Sequence, residues 1–365
     1  MRIGVPKETA ANERRVALTP DVAGRLVKGG HEVVIDRGAG MAAFFPDSAY
    51  TAAGVKIADR SSVIGQSDIV VQVQPPAVAD LAPYRDGGVL VAFFQPVPEL
   101  LRQLAQRKLT AFTLVLLPRI TRAQPMDVLS SQATVAGYKA VLLAATASGR
   151  LFPMLVTAAG TLPAARVLIL GAGVAGLQAI ATARRLGAIV SAFDVRPAVK
   201  EQVQSLGAMF LEMAIEEHAE TAGGYAKELS EETHRKELAF LANAAKDADI
   251  VISTAAIPGK KAPILLTAAA VEGMKPGSVI VDLAAETGGN CELTQPGAEI
   301  VRNGVSILGP LNLASTLPLH ASQMYAKNVA AFLGHVVQDG KLRLDFEDQI
   351  IRDTCVTHGG EVRKS

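Results

Sequence analysis

Residues 166–196 read RVLILGAGVAGLQAIATARRLGAIVSAFDVR, and the order of residue types in this stretch decides the fold. Residues 167–170 form a short apolar run, which suits a strand buried on both faces. The turn Gly171-Ala172-Gly173-Val174-Ala175-Gly176 follows, and residues 177–186 are helix formers without a breaker. The stretch therefore predicts a strand, a glycine turn, a helix and, over residues 189–193, a second strand.

The three glycines of this turn have separate steric roles. Gly171 permits the tight turn, Gly173 lets backbone N–H groups approach a pyrophosphate, and Gly176 lets the helix pack closely on the strand. The phosphates would then lie at the positive N-terminus of the helix. The turn therefore predicts a dinucleotide-binding domain.

An acidic residue ends the second strand of this pattern. Asp194 lies at about the distance expected for a carboxylate that hydrogen-bonds a ribose 2′-hydroxyl. Its charge would repel a 2′-phosphate, so NAD(H) is favoured over NADP(H). Arg196, two residues further on, could accept a 2′-phosphate, but the simpler interpretation is a solvated charge at the strand end.

The length and composition favour two α/β domains. The chain has 365 residues, of which 49% are hydrophobic and 4% aromatic, a balance typical of parallel sheets covered by helices. Strand and helix patterns alternate, which predicts two Rossmann-like doubly wound parallel-sheet domains joined by long helices. We expect one domain from residues 1–137 completed by 317–365, and a nucleotide-binding domain from 138–316. The formal net charge of +1 gives no sign of a nucleic-acid partner.

Membrane, secretion and metal signals are weak. No apolar run reaches the roughly 18–20 residues that span a bilayer, and charge and proline come too early for a signal peptide. Two cysteines give no disulfide framework, which suits a reducing cytoplasm. Cys355 and His358 have the spacing of half a metal site, but no second pair matches them, so no metal is expected.

Two polar segments are candidates for ligand contact. Residues 118–132, PRITRAQPMDVLSSQ, could bind a ligand at a strand end, or could be an ordinary connection in which Asp127 and Ser130 cap a helix. Residues 216–237 contain Gly223-Gly224-Tyr225 and are unusually long and charged for an α/β connection. They are either a solvated helix pair or a mobile flap that folds Tyr225 over a ligand.

With these segments in place, nearly the whole chain resembles the NAD(H)-binding domain of the α subunit of proton-translocating NAD(P) transhydrogenase. The glycine turn and Asp194-Val195-Arg196 contribute to this resemblance, and the other motifs are more specific. These motifs are RITRAQPMDVLSSQ at 119–132, ETAGGYAKE at 220–228, Ile257-Pro258-Gly259, and ETGGN at 286–290.

The resemblance implies a set of residues that bind NAD(H). In this family the segment around 119–130 reaches the nicotinamide end, and the loop that carries Tyr225 closes over the nucleotide. Val174 lies against the pyrophosphate, Asp194 to Arg196 lie around the adenosine ribose, and Gly224 and Ala256 lie along the cofactor. The complete set is Arg119, Ile120, Thr121, Gln124, Asp127, Ser130, Gly171, Gly173, Val174, Gly176, Asp194, Val195, Arg196, Gly224, Tyr225 and Ala256.

The implied activity is the Re/Si-specific, proton-translocating transfer of hydride between NADH and NADP⁺. Because the cofactors carry this chemistry, no catalytic side chain of the protein is expected. One glycine fingerprint implies one nucleotide site, so NADP(H) would be bound by a partner domain and the proton path would lie in separate membrane-spanning subunits. The chain itself would have no transmembrane segment, would dock peripherally on the cytoplasmic face, and would form a homodimer.

Alanine dehydrogenase is built on the same plan and is the main alternative. It shares the opening pattern from Pro6-Lys7-Glu8 to Thr19-Pro20, so Arg15 does not separate the two. It places a lysine and a histidine where this chain has Gln74 and Gln95. Oxidative deamination needs a cation for the carboxylate and a proton acceptor near neutral pH, and glutamine provides neither. A non-catalytic NAD(H) sensor remains a third hypothesis.

Overall fold

The computed structural model describes residues 1–213, 230–257 and 260–364. These residues form two compact units, one of 1–132 with 314–365 and the other of 133–313. The sequence placed the corresponding boundaries at 137/138 and 316/317. The first division falls inside a helix, Val128–Ala147.

The first unit is a parallel sheet in which strands alternate with helices. Its elements are β1 (Arg2–Val5), α1 (Pro20–Lys28), β2 (Glu32–Asp36), α2 (Asp47–Ala52), β3 (Lys56–Ala58), α3 (Arg60–Gly65), β4 (Ile69–Val71), β5 (Val89–Ala92), α4 (Pro98–Gln106) and β6 (Thr110–Thr113). The parallel strands are ordered β3-β2-β1-β4-β5-β6, which is a doubly wound arrangement. Strands such as β4 and β5 are uniformly apolar because helices cover both faces.

The second unit begins within α5 (Val128–Ala147) and contains a second parallel sheet. Its further elements are β7 (Leu155–Thr157), β8 (Gly160–Leu162), β9 (Arg166–Leu170), α6 (Val174–Arg185), β10 (Ile189–Phe193), α7 (Lys200–Ser205), β11 (Met209–Phe210), α8 (Glu231–Lys246), β12 (Ile250–Ser253), α9 (Ala268–Glu272), β13 (Val279–Asp282), β14 (Glu299–Arg302) and β15 (Val305–Leu308). The strand order is β11-β10-β9-β12-β13-β15-β14. Both sheets therefore confirm the predicted α/β class with doubly wound parallel sheets.

The edges of the second unit differ from the prediction. Strand β14 was not predicted; it pairs antiparallel with β15 and forms the edge of the sheet. The β7–β8 hairpin was not predicted either, because its short strands lack a buried apolar run.

The C-terminal segment returns to the first unit. It consists of α10 (Pro318–Val336), β16 (Val337–Gln338), β17 (Lys341–Leu342), α11 (Gln349–Thr354), β18 (Cys355–His358) and β19 (Glu361–Val362). Strand β18 extends the first sheet by pairing antiparallel with β6. Phe332 of α10 packs edge-on against Phe112 of β6, with 5.2 Å between ring centroids. The shorter 3₁₀ turns are Met41–Ala43, Val78–Asp80, Leu114–Leu116, Thr121–Met126, Pro197–Val199, Ala285–Thr287 and Leu313–Thr316.

Helix α5 bears on the membrane prediction. In the described part of the chain it is the one helix that is long and apolar enough to cross a membrane, whereas the sequence suggested that no segment of that kind was present. Length and composition are weak criteria, because a core helix passes the same test. The side chains of Val128, Ala140, Val141 and Ala144 are buried in the hydrophobic cores of the units.

Candidate functional site

The glycine turn of the second unit has the geometry that its three glycines predict. Gly171 has a φ of +93°, a conformation that L side chains rarely adopt. A Cβ on Gly176 would lie 1.9 Å from the carbonyl oxygen of Gly171, so only glycine allows α6 to approach β9 this closely. A Cβ on Gly173 would meet no heavy atom of the described chain within 4 Å. The turn is therefore tightly packed at its first and third glycines and open at its second.

The open side of the turn suits a diphosphate. Gly173 is the N-cap of α6, a helix of 12 residues. As a glycine, it has no side-chain oxygen that could accept from the first N–H groups of the helix. The N–H groups of the first helical turn have no intrahelical acceptor, and the helix dipole makes this end positive. Val174, at the first helical position, is 37% exposed. Space, donors and positive potential coincide here, so these residues fit the pyrophosphate of a dinucleotide.

Asp194 and Arg196 form a tight ion pair beside this turn. Oδ1 of Asp194 accepts from the backbone N and the Nε of Arg196 at 2.9 and 2.8 Å. Oδ2 accepts from Nη2 of Arg196 and from the backbone N of Ala172, both at 2.7 Å. The side chains are only 6% and 13% exposed, respectively. Arg196 is therefore not the solvated charge that the sequence suggested. Val195 between them packs against the apolar cluster on one face of the sheet.

A buried polar network holds the loop after β12. Asn290 Oδ1 accepts from the backbone N of Ala255 at 3.0 Å, and its Nδ2 donates to the carbonyl oxygens of Ala255 and Pro263, both at 2.8 Å. Asp282 in turn accepts from the backbone N of Asn290 at 2.7 Å. Ala256 follows as an exposed residue. The loop conformation is thus fixed at Ala255, immediately before the predicted contact residue.

Asn290 belongs to the motif ETGGN at 286–290, but no role was predicted for it. Its signal was the pair Gly288-Gly289, which adopts φ values of +107° and +81° and turns the chain so that Asn290 points inward. Thr254 was also overlooked. Its hydroxyl donates to the carbonyl oxygen of Gly171 at 3.0 Å and so ties the end of β12 to the glycine turn. Pro258 and Gly259 of the same loop lie outside the described residues.

The predicted nicotinamide segment lies in the first unit. Arg119, Thr121 and Gln124 are exposed, whereas Ile120 packs against the core. Asp127 precedes α5 and accepts from the backbone N of Ser130 at 2.9 Å and from its hydroxyl at 2.6 Å. The helix-capping interpretation therefore describes these two side chains. Capping also fixes their polar atoms at the positive end of α5.

Two residues of the C-terminal segment, Asn328 and Asp348, hold this loop in place. Asn328 of α10 donates through Nδ2 to the carbonyl oxygen of Pro125 at 2.7 Å, and its Oδ1 accepts from the hydroxyl of Ser131 at 2.7 Å. Arg122 forms an ion pair with Asp348. Asn328 was not predicted as a site residue, because nothing local distinguishes one asparagine in a long helix.

A buried ion pair lies in the first unit. The guanidinium of Arg15 donates to Glu13 through Nε at 2.8 Å and through Nη2 at 2.6 Å, and Nη1 donates to Oε1 of Gln132 at 2.8 Å. The Arg15 and Glu13 side chains are 3% and 0% exposed. Gln74 donates to the same Glu13 carboxylate at 2.9 Å. The charge of Arg15 is thus compensated inside the protein.

Glu8 lies next to this ion pair. Its carboxylate accepts from the backbone N–H groups of Val73 and Gln74 at 2.6 and 3.1 Å. Burial raises the pKa of Glu8 to about 7, because it outweighs these two hydrogen bonds, which lower the pKa. Gln95, by contrast, is exposed.

Several predicted residues lie outside the described ranges. Gly224, Tyr225 and most of the predicted flap fall in 214–229. Residues 231–237 of that segment are the first turns of α8, which Ser230 caps by accepting from Thr233 N.

The two cysteines are buried and free, and burial raises the pKa of the Cys355 thiol to about 11. Within residues 1–213, 230–257 and 260–364, no group of three or more His, Cys, Asp or Glu side chains could hold a metal.

Comparison with known proteins accounts for nearly the whole chain. The family described as "Alanine dehydrogenase/PNT, N-terminal domain" matches residues 4–136, and "Alanine dehydrogenase/PNT, C-terminal domain" matches 140–365. The NAD(P) transhydrogenase subunit alpha of Haemophilus influenzae is 47% identical over 366 residues, covering 99% of this chain and 71% of that protein.

Solved structures agree with this match. The crystal structure of transhydrogenase from Sinorhizobium meliloti is 44% identical with a TM-score of 0.90, covering 99% of this chain and 100% of that one. An L-alanine dehydrogenase structure is 27% identical with a TM-score of 0.82, covering 99% and 96%. These findings confirm the predicted resemblance. The chain therefore belongs to the alanine dehydrogenase/PNT family, together with the α subunits of NAD(P) transhydrogenase.

Proposed function

We propose that this chain is the NAD(H)-binding subunit of a proton-translocating NAD(P) transhydrogenase and takes part in Re/Si-specific hydride transfer between NADH and NADP⁺ on a partner domain. The observation that carries the proposal is Gln74, which stands where alanine dehydrogenases have a lysine. Its side-chain amide donates to the Glu13 carboxylate, which also pairs with Arg15. Gln74 offers no cation to an amino-acid substrate, whereas hydride exchange between two nicotinamides needs no such cation.

The nicotinamide ring supplies the hydride chemistry when NAD(H) is bound. The residues of this chain would bind, orient and shield it. The N–H groups at the start of α6 bind the diphosphate, and Gln124, Asp127 and Ser130 offer donors and acceptors that orient the nicotinamide end. Arg119 adds positive charge near the same end. The segment with Gly224 and Tyr225 would exclude water over the bound nucleotide.

The side chains proposed for the nicotinamide end match a reaction without proton transfer. Gln124 and Ser130 do not titrate near neutral pH, and Asp127 is held as a cap of α5 by two hydrogen bonds. A dehydrogenase that oxidises an amine must move a proton in the same step. The composition of this segment therefore supports hydride exchange rather than deamination.

The proposal includes partners. An NADP(H)-binding domain and membrane-spanning subunits would supply the second cofactor and the proton path, with this chain docked peripherally on the cytoplasmic face. We also propose a homodimer, supported by the β7–β8 hairpin. All residues of both strands are exposed, and Met154, Val156 and Leu162 are 62%, 72% and 50% exposed. A two-stranded hairpin with such an apolar surface is marginal alone, and a second copy would bury it.

The test mixes the purified chain with a transhydrogenase NADP(H)-binding domain and follows NADPH-driven reduction of an oxidised NAD analogue. The proposal expects turnover that requires both proteins. Tight NADH binding and a demonstrated complex without turnover would contradict it and favour the sensor hypothesis. NAD⁺ reduction that depends on alanine, without any partner, would instead identify an amino-acid dehydrogenase.

A further inference from the structure

We propose that Asp194 makes this site selective for NAD(H) by immobilising Arg196, rather than by its charge alone. The proposal deepens the proposed function and rests on NAD(H) binding at the glycine turn. It concerns a specificity-determining pair, in which Asp194 acts through its neighbour.

The Asp194 carboxylate already accepts four hydrogen bonds within the protein. A carboxylate has about four lone-pair directions, two on each oxygen. In this structure each oxygen accepts two bonds: Oδ1 from the backbone N and Nε of Arg196, and Oδ2 from Arg196 Nη2 and the backbone N of Ala172. Three of its four hydrogen bonds are therefore made with Arg196, so the carboxylate determines where that side chain lies.

The charge of Asp194 is compensated locally. The side chains of Asp194 and Arg196 form a nearly buried pair, 6% and 13% exposed. A compensated pair repels a phosphate far less than a lone carboxylate does. Simple repulsion, which the sequence suggested, is thus a poor account of how a 2′-phosphate is rejected.

Arg196 would bind a phosphate if its guanidinium were free. An arginine close to the end of this strand is the usual means by which a dinucleotide fold accommodates a 2′-phosphate, and its guanidinium matches phosphate geometry in a bidentate manner. Here three donors of Arg196, its backbone N, Nε and Nη2, are directed at Asp194. To reach a phosphate the guanidinium would have to abandon a nearly buried carboxylate, which is unfavourable.

The hydrogen bond from Ala172 links the Asp194–Arg196 pair to the glycine turn. Ala172 lies between Gly171 and Gly173, and its N–H is bound to Asp194 Oδ2 at 2.7 Å. The pair is therefore fixed to the loop that would carry the diphosphate. Asp194 therefore holds the turn through Ala172 and keeps the Arg196 guanidinium from contacting a phosphate.

The experiment is a double-mutant cycle on the intact chain, read as equilibrium binding of NADH and NADPH by nucleotide fluorescence. Asp194→Asn keeps an acceptor for Ala172 N–H but removes the charge that holds Arg196. Arg196→Ala and the double variant complete the cycle. We expect Asp194→Asn to bind NADPH about tenfold more tightly than the parent, the scale of one charge-assisted hydrogen bond. This gain should weaken as salt is raised, because it arises from an exposed guanidinium and a phosphate.

The decisive comparison is between Asp194→Asn and the double variant. The proposal expects the NADPH gain to disappear when Arg196 is also replaced, and Arg196→Ala alone to leave NADPH rejected. An equal gain in both variants would overturn it, because Asp194 would then act by its own charge. No gain in Asp194→Asn would also overturn it. Asp194→Ser repeats the cycle if the amide variant does not fold, as judged by thermal unfolding.

The proposed function can fail separately from this inference. If the parent chain binds neither nucleotide, the NAD(H) site itself is wrong. If the parent binds NADH and the cycle shows no dependence on Arg196, the NAD(H) site stands and only the role of the pair is wrong.

Discussion

The side-chain amide of Asn290 is bonded to both backbone polar groups of Ala255, with Oδ1 at 3.0 Å from the nitrogen and Nδ2 at 2.8 Å from the oxygen. One side chain thus makes the pair of hydrogen bonds that a neighbouring strand makes with a residue in a β-sheet. The carboxylate of Asp282 fixes the backbone of Asn290 from behind. The loop that carries Ala256 is therefore positioned by a residue that need not touch the nucleotide itself.

Replacing Asn290 should weaken nucleotide binding through this loop. In Asn290→Ala the partly buried N–H and C=O of Ala255 lose their partners, which costs about 1–3 kcal/mol for each group left unsatisfied. We expect weaker NADH binding by isothermal titration calorimetry, together with a lower Tm. Asn290→Asp is the matched control, because it can accept from Ala255 N but cannot donate to the two carbonyls. If both variants bind NADH like the parent, the loop does not contribute to the site.

Substitutions at Gly173 and Gly176 should separate the effect of the glycine turn on nucleotide affinity from its effect on stability. Gly173 has a φ of −75° that any residue adopts, and a Cβ there meets no described atom within 4 Å, so Gly173→Ala should fold normally. Its methyl group would occupy the space of the diphosphate, and we expect NADH affinity to fall by about tenfold or more.

Gly176→Ala is the contrasting change in the same turn. Its Cβ would lie 1.9 Å from the Gly171 carbonyl oxygen, so the helix must shift, at a cost of about 1–3 kcal/mol in the free energy of unfolding. Thermal unfolding and NADH titration of both variants test the contrast. Normal NADH affinity in Gly173→Ala would place the diphosphate elsewhere.

Asn328 should act on the nicotinamide end alone. Asn328→Ala removes the donor to Pro125 and the acceptor for Ser131, which hold the segment with Gln124. We expect lower NADH affinity but an unchanged affinity for ADP-ribose, which lacks the nicotinamide. Asn328→Asp, which keeps only the acceptor for Ser131, should give an intermediate result. A parallel loss of ADP-ribose affinity would indicate general damage to the fold rather than loop positioning.

The raised pKa of Glu8 predicts that the free energy of unfolding depends on pH. Burial raises its pKa from 4.5 to about 7, so between these values the folded protein keeps a proton that the unfolded chain has lost. Stability contributed by the protonated carboxyl is complete below about pH 4.5 and is lost as pH rises towards 7, by up to about 3 kcal/mol.

Glu8→Gln, which does not titrate, provides the reference for this effect. We expect the wild type to lose stability relative to Glu8→Gln between about pH 4.5 and 7 in urea unfolding, the range that the two pKa values bracket. Parallel stability curves over this range would show that Glu8 ionises as it would in the unfolded chain.

The sequence predicted the fold where local patterns were sufficient. The glycine turn and the alternation of apolar strands with helices predicted doubly wound sheets, because φ restrictions and burial act within a few residues. Strand β14 was missed because its Glu299-Ile300-Val301-Arg302 pattern is that of an exposed edge rather than a buried strand. The β7–β8 hairpin was missed for the same reason.

The polar contacts of the site depend on residues that are distant in sequence. Asn290 reaches Ala255 across 35 positions, and Asn328 reaches Pro125 across 203. No local pattern encodes such pairs. The Asp194–Arg196 pair is the opposite case, only two residues apart, and its pairing was overlooked because a charge at a strand end is usually solvated.

The most direct test of the account follows the hydride itself. NADPH carrying deuterium at the transferable C4 position is incubated with this chain, a transhydrogenase NADP(H)-binding domain and an oxidised NAD analogue in ordinary water. The account predicts that the reduced analogue carries the deuterium, on one face of its ring, and that the transfer requires both proteins. A reduced analogue that carries solvent hydrogen instead, or deuterium transfer without this chain, would contradict direct hydride exchange at this site.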